Sequence, residues 1–372
     1  MDDEGEDPVE AAIWEAAIRT LKFGHQLPWI GGKRPLSSNP LKVMNLDDYS
    51  LKDRKALDDD LKMGLLQNVY QDINEDQVVM SAKRKVVWQH GGTKARVVDP
   101  VLWVNKRLIT EETSVSYEGS GTVAWIATNW VSKLDLEHGY WQVLIEEKDR
   151  PYLCFSWRGK WYCFRVLPFG LASAPRAFTA VMKPFVLRAR ARGDRCQVYL
   201  DDIMSLGRSF RDWAEGFMAL LLDLGTAGAR WKASKLFIGP YCKIVFLGLL
   251  WDMSARMVFI RREKAVEFQA KAKTFLVEES VDVDEIESFL GSLAWFSGAV
   301  DGARLFRRCL DRWRASHSRG SKAVLSDEAR AELLFWETNL SDLNGLCILP
   351  KLTAPIIIVP DASESTWAAG FG

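Results

Sequence analysis

The chain has 372 residues, of which 48% are hydrophobic, and it carries 49 basic and 49 acidic side chains. This length and composition indicate a globular protein of about two or three compact units and exclude a disordered chain. No apolar run reaches the roughly 18 residues that a membrane helix needs, and the acidic N-terminus is unlike a secretory or transit peptide. We therefore expect an intracellular protein without membrane contact, in either the cytoplasm or the nucleus.

Six cysteines and four histidines are scattered along the chain, and no close pair has the spacing of a metal-binding motif. A zinc site needs clustered ligands and a disulfide scaffold needs far denser cysteine, so neither is expected. Buried, reduced thiols are the simplest interpretation of this distribution. Any metal ion should therefore be held by carboxylate oxygens.

The first 55 residues are predicted to hold one acidic helix followed by an extended linker. Asp7 and Pro8 are typical of a helix start, and the prolines and glycines of residues 28–40 indicate the linker. Beyond it, short apolar runs predict strands, the last two joined by a hairpin at residues 91–92. These strands are expected at residues 78–80, 86–88 and 95–98.

A denser alternation of strands and helices begins at residue 131. The predicted order is a strand at 131–136, a strand at 143–145, a hairpin at 157–160, a helix from Ser173, a hairpin at 198–204, a helix capped by Ser209 and a strand at 244–250. This succession is typical of a split βαβ, ferredoxin-like antiparallel sheet with helices on one face.

The C-terminal part is predicted to be mainly helical and basic. Amphipathic helices are expected at residues 266–276, from Asp284 and from Ser326, before a buried strand at 356–359. Residues 183–264 contain fifteen basic and eight acidic side chains, and residues 298–322 contain seven basic and two acidic ones. Such an excess suits a nucleic-acid backbone, although an ordinary solvated face would have the same composition.

Two adjacent carboxylates, Asp201 and Asp202, lie at the centre of the predicted hairpin at residues 198–204. An exposed turn would account for them, but aromatic and aliphatic neighbours stand where a tight turn usually has glycine or asparagine. Charge beside a half-buried sheet is costly unless a cation compensates it. Together with Asp135 on another strand, these carboxylates would suit two Mg²⁺ ions that promote in-line phosphoryl transfer, with Mn²⁺ as an alternative.

Four motifs in this region resemble, in order and spacing, the signature motifs of reverse transcriptases. They are residues 133–136 (Lys-Leu-Asp-Leu), 167–179 (beginning Leu-Pro-Phe-Gly), 199–202 (Tyr-Leu-Asp-Asp) and 246–248 (Phe-Leu-Gly). The second motif is most similar to retrotransposon enzymes of the DIRS and LTR types. The resemblance implies an α+β right-hand polymerase, with fingers and a ferredoxin-like palm with an antiparallel sheet at residues 56–262 and a helical thumb and connection at 263–345.

The resemblance also assigns the metal and sugar sites. Asp135 and Asp201 would be the principal metal ligands, with Asp202 and Leu136 beside them in the same metal site. Tyr140 matches the aromatic residue under the sugar of the incoming nucleotide, where a ring would exclude a 2′-hydroxyl. A core tyrosine in a helical turn is the alternative interpretation of Tyr140.

Further substrate contacts follow from the same motifs. Gly170 would let the backbone approach the nucleotide or template, and Phe169 and Tyr199 would line the same site, although Phe169 could equally be a packing residue. Lys94 and Arg96, in the fingers motif, would bind the triphosphate. Lys235 would protonate pyrophosphate or be an ordinary surface lysine. The family usually has a second arginine near Asn105, and this sequence has Leu102 at that position.

The C-terminal residues 346–372, with Asp361 after the predicted strand, resemble the opening of a ribonuclease H domain, and we expect no RNA-degrading activity from this portion. Thumb arginines at positions 304, 307, 308, 312 and 314 would follow the phosphates of an RNA–DNA duplex or form a solvated face. The resemblance implies an RNA-directed DNA polymerase that uses RNA and DNA template-primers and dNTPs, with other retroelement polyprotein domains as further partners. A catalytically inactive nucleic-acid-binding derivative is the alternative, and Tyr140 disfavours an RNA polymerase.

Overall fold

The computed structural model describes residues 8–36, 41–89, 93–109, 130–233, 236, 239, 241–347, 358–362 and 367–371. The chain divides into two units. The first comprises Met1–Glu118, Leu134–Ser205 and Glu215–Phe237, and the second comprises Gly119–Lys133, Leu206–Ala214 and Ile238–Gly372. In the described part of the chain, no helix is long and apolar enough to cross a membrane.

The N-terminal helix belongs to the core of the first unit. Helix α1 (Pro8–Phe23) packs against α4 (Ala174–Ala191), where the rings of Trp14 and Phe185 meet edge-on with centroids 5.4 Å apart. The predicted cap of this helix, Asp7, lies outside the described residues. Ser173 directly precedes α4, as predicted from the sequence.

The predicted linker after α1 is anchored rather than solvated. The buried carboxylate of Asp149 accepts hydrogen bonds from the Leu27 amide at 2.8 Å, the Trp29 indole at 3.0 Å and Arg34 Nε at 2.7 Å. Leu27 and Trp29 are themselves buried. Because a buried carboxylate needs such donors, Asp149 fixes this segment to the first unit.

Helix α2 (Leu51–Leu66) is absent from the sequence-based expectations. Its sequence is dominated by Lys and Asp, and only Leu57 and Gly64 of the helix are buried, so it lacks a clear apolar stripe. Ser50 caps it by accepting a hydrogen bond from the Asp53 amide. The predicted domain boundary after residue 55 falls inside this helix.

Two antiparallel sheets lie in the first unit, in the part of the chain predicted to form the fingers. Strands β1 (Tyr70–Asp72), β5 (Cys154–Trp157) and β6 (Lys160–Phe164) pair in the order β1-β6-β5, while β2 (Lys85–Gln89) pairs with β3 (Lys94–Val98). The predicted hairpin at 157–160 is confirmed. The strands predicted at 78–80 and 143–145 are wrong, because these residues make single backbone bonds or isolated bridges rather than continuous ladders.

A three-stranded sheet carries the predicted carboxylates. It consists of β4 (Trp130–Asp135), β8 (Asp202–Gly207) and β7 (Arg195–Tyr199) in the order β4-β8-β7. Helix α5 (Phe210–Thr226) follows, and Ser209 Oγ accepts from the Asp212 amide at 3.1 Å as its predicted cap. The predicted order of strand, helix, hairpin and helix is confirmed.

The second unit contains a four-stranded sheet in the order β14-β11-β10-β9. Its strands are β9 (Lys243–Phe246), β10 (Leu249–Asp252), β11 (Met257–Ile260) and β14 (Leu346–Cys347). The single strand predicted at 244–250 is wrong, because the chain reverses at Leu247 (φ 49°) and Gly248 (φ 79°). The predicted boundary at residue 346 falls on β14, which pairs with β11 of this sheet.

Four helices build the apolar core of the second unit. They are α6 (Arg262–Val277), α7 (Val283–Phe296), α8 (Arg308–Ala315) and α9 (Asp327–Leu343). The rings of Phe268 and Phe289 stack with centroids 3.9 Å apart. Ser326 caps α9 as predicted, whereas α7 is capped by Asp282 rather than by Asp284, because the Asp282 carboxylate accepts from the first helical amides.

Short strands complete the second unit. Strand β12 (Val281–Asp282) pairs with β13 (Lys322–Ala323), and β15 (Ile358–Ala362) pairs with β16 (Trp367–Phe371). Asp361 lies in β15, opposite Ala368. The strand predicted at 356–359 thus begins at Ile358 among the described residues.

Candidate active site

The turn between β7 and β8 contains the Tyr-Leu-Asp-Asp motif. Tyr199 ends β7, Asp202 begins β8, and Leu200 adopts a left-handed backbone conformation with φ 51°. This conformation is unfavourable for leucine and persists where the surrounding structure imposes it, often at functional sites. The turn therefore differs from an ordinary exposed hairpin loop, which would use glycine or asparagine here.

Backbone pairing brings Asp135 and Asp201 side by side. The amide of Leu136, the residue after Asp135, donates a hydrogen bond to the Asp201 carbonyl oxygen at 2.9 Å. Leu136 also forms an antiparallel bridge with Trp231, and the Lys232 amide donates to the Asp135 carbonyl at 3.4 Å. The two carboxylate positions are thus held by main-chain bonds, which constrain them more strongly than side-chain packing would.

Gly139 lies against the first of the paired motif aspartates, Asp201. A Cβ atom at position 139 would lie 3.0 Å from Asp201 Cβ and 3.1 Å from Phe178 Cζ. Gly139 begins a short 3-10 turn and is buried. Sequence reasoning missed this residue, and its only signal was a glycine four positions after Asp135.

Tyr140 occupies the same 3-10 turn and faces two aromatic side chains. Its ring centroid lies 5.4 Å from that of Phe169 and 5.8 Å from that of Phe178. Burial raises the pKa of the Tyr140 phenol, and the negative charge of Asp201 and the nearby Tyr199 raise this pKa further. The structure therefore gathers Tyr140, Phe169, Tyr199 and Asp201 into one neighbourhood.

The Pro-Phe-Gly loop is fixed by Asn105, the last residue of α3 (Leu102–Asn105). Asn105 Nδ2 donates to the Gly170 carbonyl at 2.8 Å, and its Oδ1 accepts from the Ala172 amide at 2.8 Å. Gly170 has φ 91°, and a Cβ there would lie 3.2 Å from the Asp99 carbonyl oxygen. The positive φ and the close Asp99 carbonyl are therefore enough to explain a glycine at position 170, without any contact to a nucleotide.

A buried ion-pair network supports the segment that contacts Gly170. Arg84 is 2% exposed and donates to Asp99 at 2.7 Å and to the Tyr70 hydroxyl at 2.8 Å, while pairing with Asp60 at 2.8 Å. Burial raises the pKa of the Asp99 carboxyl, and the Arg84 charge opposes this rise. Removing one member of such a network typically costs about 3–5 kcal/mol, because the other charge stays buried.

The predicted phosphate-binding cations are not brought to the carboxylates. Lys94 and Arg96 lie two residues apart on β3, hence on one face, and both are exposed. Among the described residues, neither side chain forms a hydrogen bond or an ion pair with Asp135 or Asp201. Lys235 lies outside the described residues.

The carboxylate positions suit an open divalent-cation site. Among the described residues, no three acidic, histidine or cysteine side chains form a metal-binding group by themselves. Mg²⁺ commonly takes only one or two protein carboxylates and completes its coordination with water and substrate phosphates. The hard oxygen donors of Asp135, Asp201 and Asp202 fit such an ion when a nucleotide supplies the remaining ligands.

The Phe-Leu-Gly motif of the second unit forms a turn that α7 supports. Trp295 Nε1 donates to the Leu247 carbonyl at 3.0 Å. A Cβ at Gly248 would lie 2.7 Å from Trp295 Cζ2, so the indole ring occupies the space beside the turn. The motif's glycine is explained by this contact and by its positive φ.

The predicted basic face of the thumb is only partly available. Arg307 makes two hydrogen bonds of 2.7 Å to the Asp311 carboxylate, and Arg314 pairs with Glu287 at 2.6 Å. Three arginines of the face remain exposed, namely Arg304, Arg308 and Arg312. The helix itself begins only at Arg308, so the five arginines do not share one helical face.

Comparison with known proteins identifies the domain family. Residues 95–249 match the family model described as reverse transcriptase (RNA-dependent DNA polymerase). The chain is 24% identical over 252 residues to the retrovirus-related Pol polyprotein from transposon opus of Drosophila melanogaster, covering 65% of this chain and 23% of that protein. It is 28% identical over 347 residues to the enzymatic polyprotein of Cestrum yellow leaf curling virus, covering 89% and 50%.

Solved structures share the fold. A foamy viral protease-reverse transcriptase in complex with double-stranded DNA matches with a TM-score of 0.71 and 17% identity, covering 100% of this chain and 66% of that one. The same kind of protein in complex with an RNA/DNA hybrid matches with a TM-score of 0.69 and 16% identity, covering 100% and 51%.

The chain therefore has the α+β right-hand polymerase fold of reverse transcriptases, which confirms the predicted fold class. Residues 95–249 are similar to the reverse transcriptase family, and the relatives described above are a retrovirus-related Pol polyprotein and an enzymatic polyprotein. The chain spans 23% and 50% of the length of the two curated relatives described above.

Proposed function

We propose that this chain is an RNA-directed DNA polymerase that adds deoxynucleotides to the 3′-hydroxyl of a primer. The observation that carries the proposal is the backbone pairing that holds Asp135 beside Asp201 at a strained turn. The family match over residues 95–249 and the shared fold support it. Reverse transcriptases generally use divalent metals, and here we assign two Mg²⁺ ions, replaceable by Mn²⁺, to Asp135, Asp201, Asp202 and Leu136.

Each residue of the site is assigned a separate role in nucleotidyl transfer. When bound, the cations would lower the pKa of the primer hydroxyl and stabilise the leaving pyrophosphate oxygen. Asp135 and Asp201 would hold these cations side by side, because main-chain hydrogen bonds pair the two segments that carry them. Tyr140 forms the floor beneath the sugar, where its ring would collide with a 2′-hydroxyl, and Phe169 packs against that ring.

The triphosphate is assigned to the exposed cations of β3. Lys94 and Arg96 share one face of this strand, and guanidinium geometry suits phosphate oxygens. Lys235 is assigned to protonate the pyrophosphate, and Tyr199, which is 42% exposed, to line the substrate site. Leu102, which is 66% exposed, occupies the position of the family's second arginine. The proposed triphosphate-binding site therefore has one cation fewer than is usual in the family.

A template-primer duplex and further polyprotein domains are the proposed partners. The foamy viral structures contain double-stranded DNA or an RNA/DNA hybrid, and both relatives described above are polyproteins. In this chain the exposed arginines Arg304, Arg308 and Arg312 would contact duplex phosphates without reading bases. Residues 346–372 would open a ribonuclease H domain.

Primer extension on an RNA template tests the activity. We expect Mg²⁺-dependent incorporation of dNTPs, and a loss of at least about 100-fold in Asp135→Asn and Asp201→Asn, because a carboxamide cannot neutralise a metal ion. Asp76→Asn, which changes an exposed carboxylate in the turn Glu75–Gln77, is the matched control and should retain activity. Equal incorporation by wild type and Asp201→Asn would refute the proposal.

The replacement of the second arginine by Leu102 favours a second candidate, an inactive nucleic-acid-binding derivative. Tight binding of an RNA–DNA template-primer without any Mg²⁺-dependent incorporation would select that candidate. Fluorescence anisotropy with the labelled duplex measures binding independently of chemistry.

A further inference from the structure

Two cysteines face each other across the sheet β1-β6-β5. Cys154 on β5 and Cys163 on β6 are register partners, and the neighbouring pair is hydrogen-bonded, since the Phe164 amide donates to the Leu153 carbonyl at 3.0 Å. The cysteines therefore occupy a non-hydrogen-bonded position, where Cα atoms lie about 4.5 Å apart and side chains share a face. That spacing falls within the roughly 4.4–6.8 Å that a disulfide accepts.

The two sulfurs have different neighbours in a row of side chains. The Cys154 sulfhydryl donates to the carbonyl oxygens of Pro151 at 3.3 Å and Arg150 at 3.5 Å, whereas Cys163 lies next to Gln71. Gln71 on β1 is the other register partner of Cys163, and its Oε1 accepts from Arg150 Nη1 at 3.1 Å. This bond turns the Gln71 amide group so that it can donate to the Cys163 sulfur. Sulfur at position 163 thus stands between an amide donor and the Cys154 thiol, in the middle of the row.

This arrangement favours the thiolate of Cys163. The adjacent Cys154 thiol lowers the pKa of the Cys163 thiol, the Arg150 charge and the Gln71 side chain lower it further, and burial opposes them. Burial raises the pKa of Cys154. The thiolate is the nucleophilic form of cysteine, so Cys163 is the more reactive member, and Cys154 is the resolving thiol, which gives up its proton as it attacks.

A cavity gives a small reagent access to the Cys154 side of the pair, and the facing Cys163 lies directly behind it in the strand register. Cys154 lines a cavity of about 390 Å³, whose wall also includes Lys42, Met80 and Trp103. Both cysteines are otherwise buried, with 3% and 0% of their surface exposed. Access is therefore restricted to molecules much smaller than a protein.

We propose that Cys154 and Cys163 form a redox-active dithiol, a modification site at which hydrogen peroxide closes a cross-strand disulfide. The Cys163 sulfur attacks a peroxide oxygen, so that an S–O bond forms, the O–O bond breaks and hydroxide leaves. The sulfur is thereby oxidised to a sulfenic acid while the peroxide is reduced. The Cys154 sulfur then attacks Cys163, the S–S bond forms, the S–O bond breaks, and the leaving hydroxide takes the Cys154 proton as water. A dithiol reductant reverses the reaction.

Peptide mapping of the full chain tests the proposal without any variant of the pair. The chain is treated with hydrogen peroxide, blocked with N-ethylmaleimide and cut with trypsin, for which Pro151 protects the bond after Arg150. We expect residues 149–158 linked to residues 161–165, and release of the two peptides by dithiothreitol. Using Cys242→Ser/Cys347→Ser removes the two exposed thiols that could pair between molecules. Irreversible oxidation of Cys163 without the linked peptide would overturn the proposal, as would recovery of both thiols unmodified.

Two further variants test the assignment of roles. Gln71→Met removes the amide donor while keeping a side chain of similar size, and we expect bridge formation to slow several-fold. Cys196→Ser alters an unrelated buried thiol and should leave the rate unchanged. An unaltered rate in Gln71→Met would exclude the activation described here. Because the readout is a peptide mass, it is independent of whether the chain polymerises DNA.

Discussion

Gly139 packs directly against Asp201, and the absence of a Cβ at position 139 leaves room for the Asp201 side chain. The position of the glycine Cα is such that an added methyl group would lie 3.0 Å from Asp201 Cβ and 3.1 Å from the Phe178 ring. Few Cβ contacts in proteins are this short, and the Asp201 carbonyl accepts from the Leu136 amide, so a side chain at position 139 would shift Asp201 and its paired backbone by a few tenths of an ångström. The glycine is therefore coupled to the geometry of the proposed active site although it carries no functional group.

We expect Gly139→Ala to lower DNA synthesis by about 10- to 100-fold, because displacing a reacting group by a fraction of an ångström is costly. The free energy of unfolding should fall by only about 1–3 kcal/mol, as in overpacked cores. Single-nucleotide incorporation and urea denaturation measure the two effects. Gly225→Ala in α5, where the new methyl group would make an ordinary 3.5 Å contact with Trp231, should show neither loss.

Tyr140→Val should admit ribonucleotides, because the smaller side chain leaves room for a 2′-hydroxyl. We expect the preference for dNTP over the matching rNTP to fall by at least about tenfold, corresponding to about 1.4 kcal/mol. Tyr140→Phe keeps the ring and should retain the preference. Unchanged sugar selectivity in Tyr140→Val, measured as the ratio of kcat/KM values, would remove Tyr140 from this role.

Trp295→Phe tests the support of the turn at Leu247 and Gly248. The substitution removes the indole N–H that donates to the Leu247 carbonyl, and we expect stability to fall by about 1–2 kcal/mol. If this turn positions the primer end, KM for template-primer should rise while dNTP selectivity stays constant. Trp313→Phe removes a similar 2.9 Å bond to the Val324 carbonyl and serves as the matched control for stability alone.

His25 should make the stability of the first unit depend on pH. Burial lowers the pKa of its imidazole from 6.5 to about 4, with Asp149 opposing and Arg176 assisting, and its Nε2 lies 3.3 Å from Ser173 Oγ. As the pH falls below 6.5, His25 becomes protonated in the unfolded chain, whereas in the folded chain it becomes protonated only near pH 4. Stability is therefore present above pH 6.5 and is lost as the pH falls through this interval, by up to about 3 kcal/mol.

Urea denaturation at pH 7.5 and pH 5 measures this dependence. The loss of stability between the two pH values should be smaller in His25→Gln than in wild type, because glutamine does not titrate. Equal losses in both proteins would show that other groups, and not His25, cause the acid sensitivity.

Local sequence patterns determined much of the fold. The motif order around Asp135, the Pro-Phe-Gly loop and Asp201 indicates the polymerase fold, since helix caps, apolar periodicity and turn residues are local properties of the chain. They also placed α4, α5, α9 and the hairpin of β7 and β8. The sequence did not predict helix α2, because few of its residues are buried. It predicted one strand in place of β9 and β10, because leucine is an unusual residue at a positive φ.

Contacts between distant segments were decided only by the tertiary structure. The sequence indicated that Asp135 and Asp201 are functional, but the bond from Leu136 to the Asp201 carbonyl depends on strand register. Likewise, neither the role of Gly139 nor the facing of Cys154 and Cys163 can be read from spacing, because cross-strand neighbours are set by pairing and not by separation along the chain. The residue types thus indicated which chemical groups are available, and the pairing of the strands determined which of those residues lie next to one another.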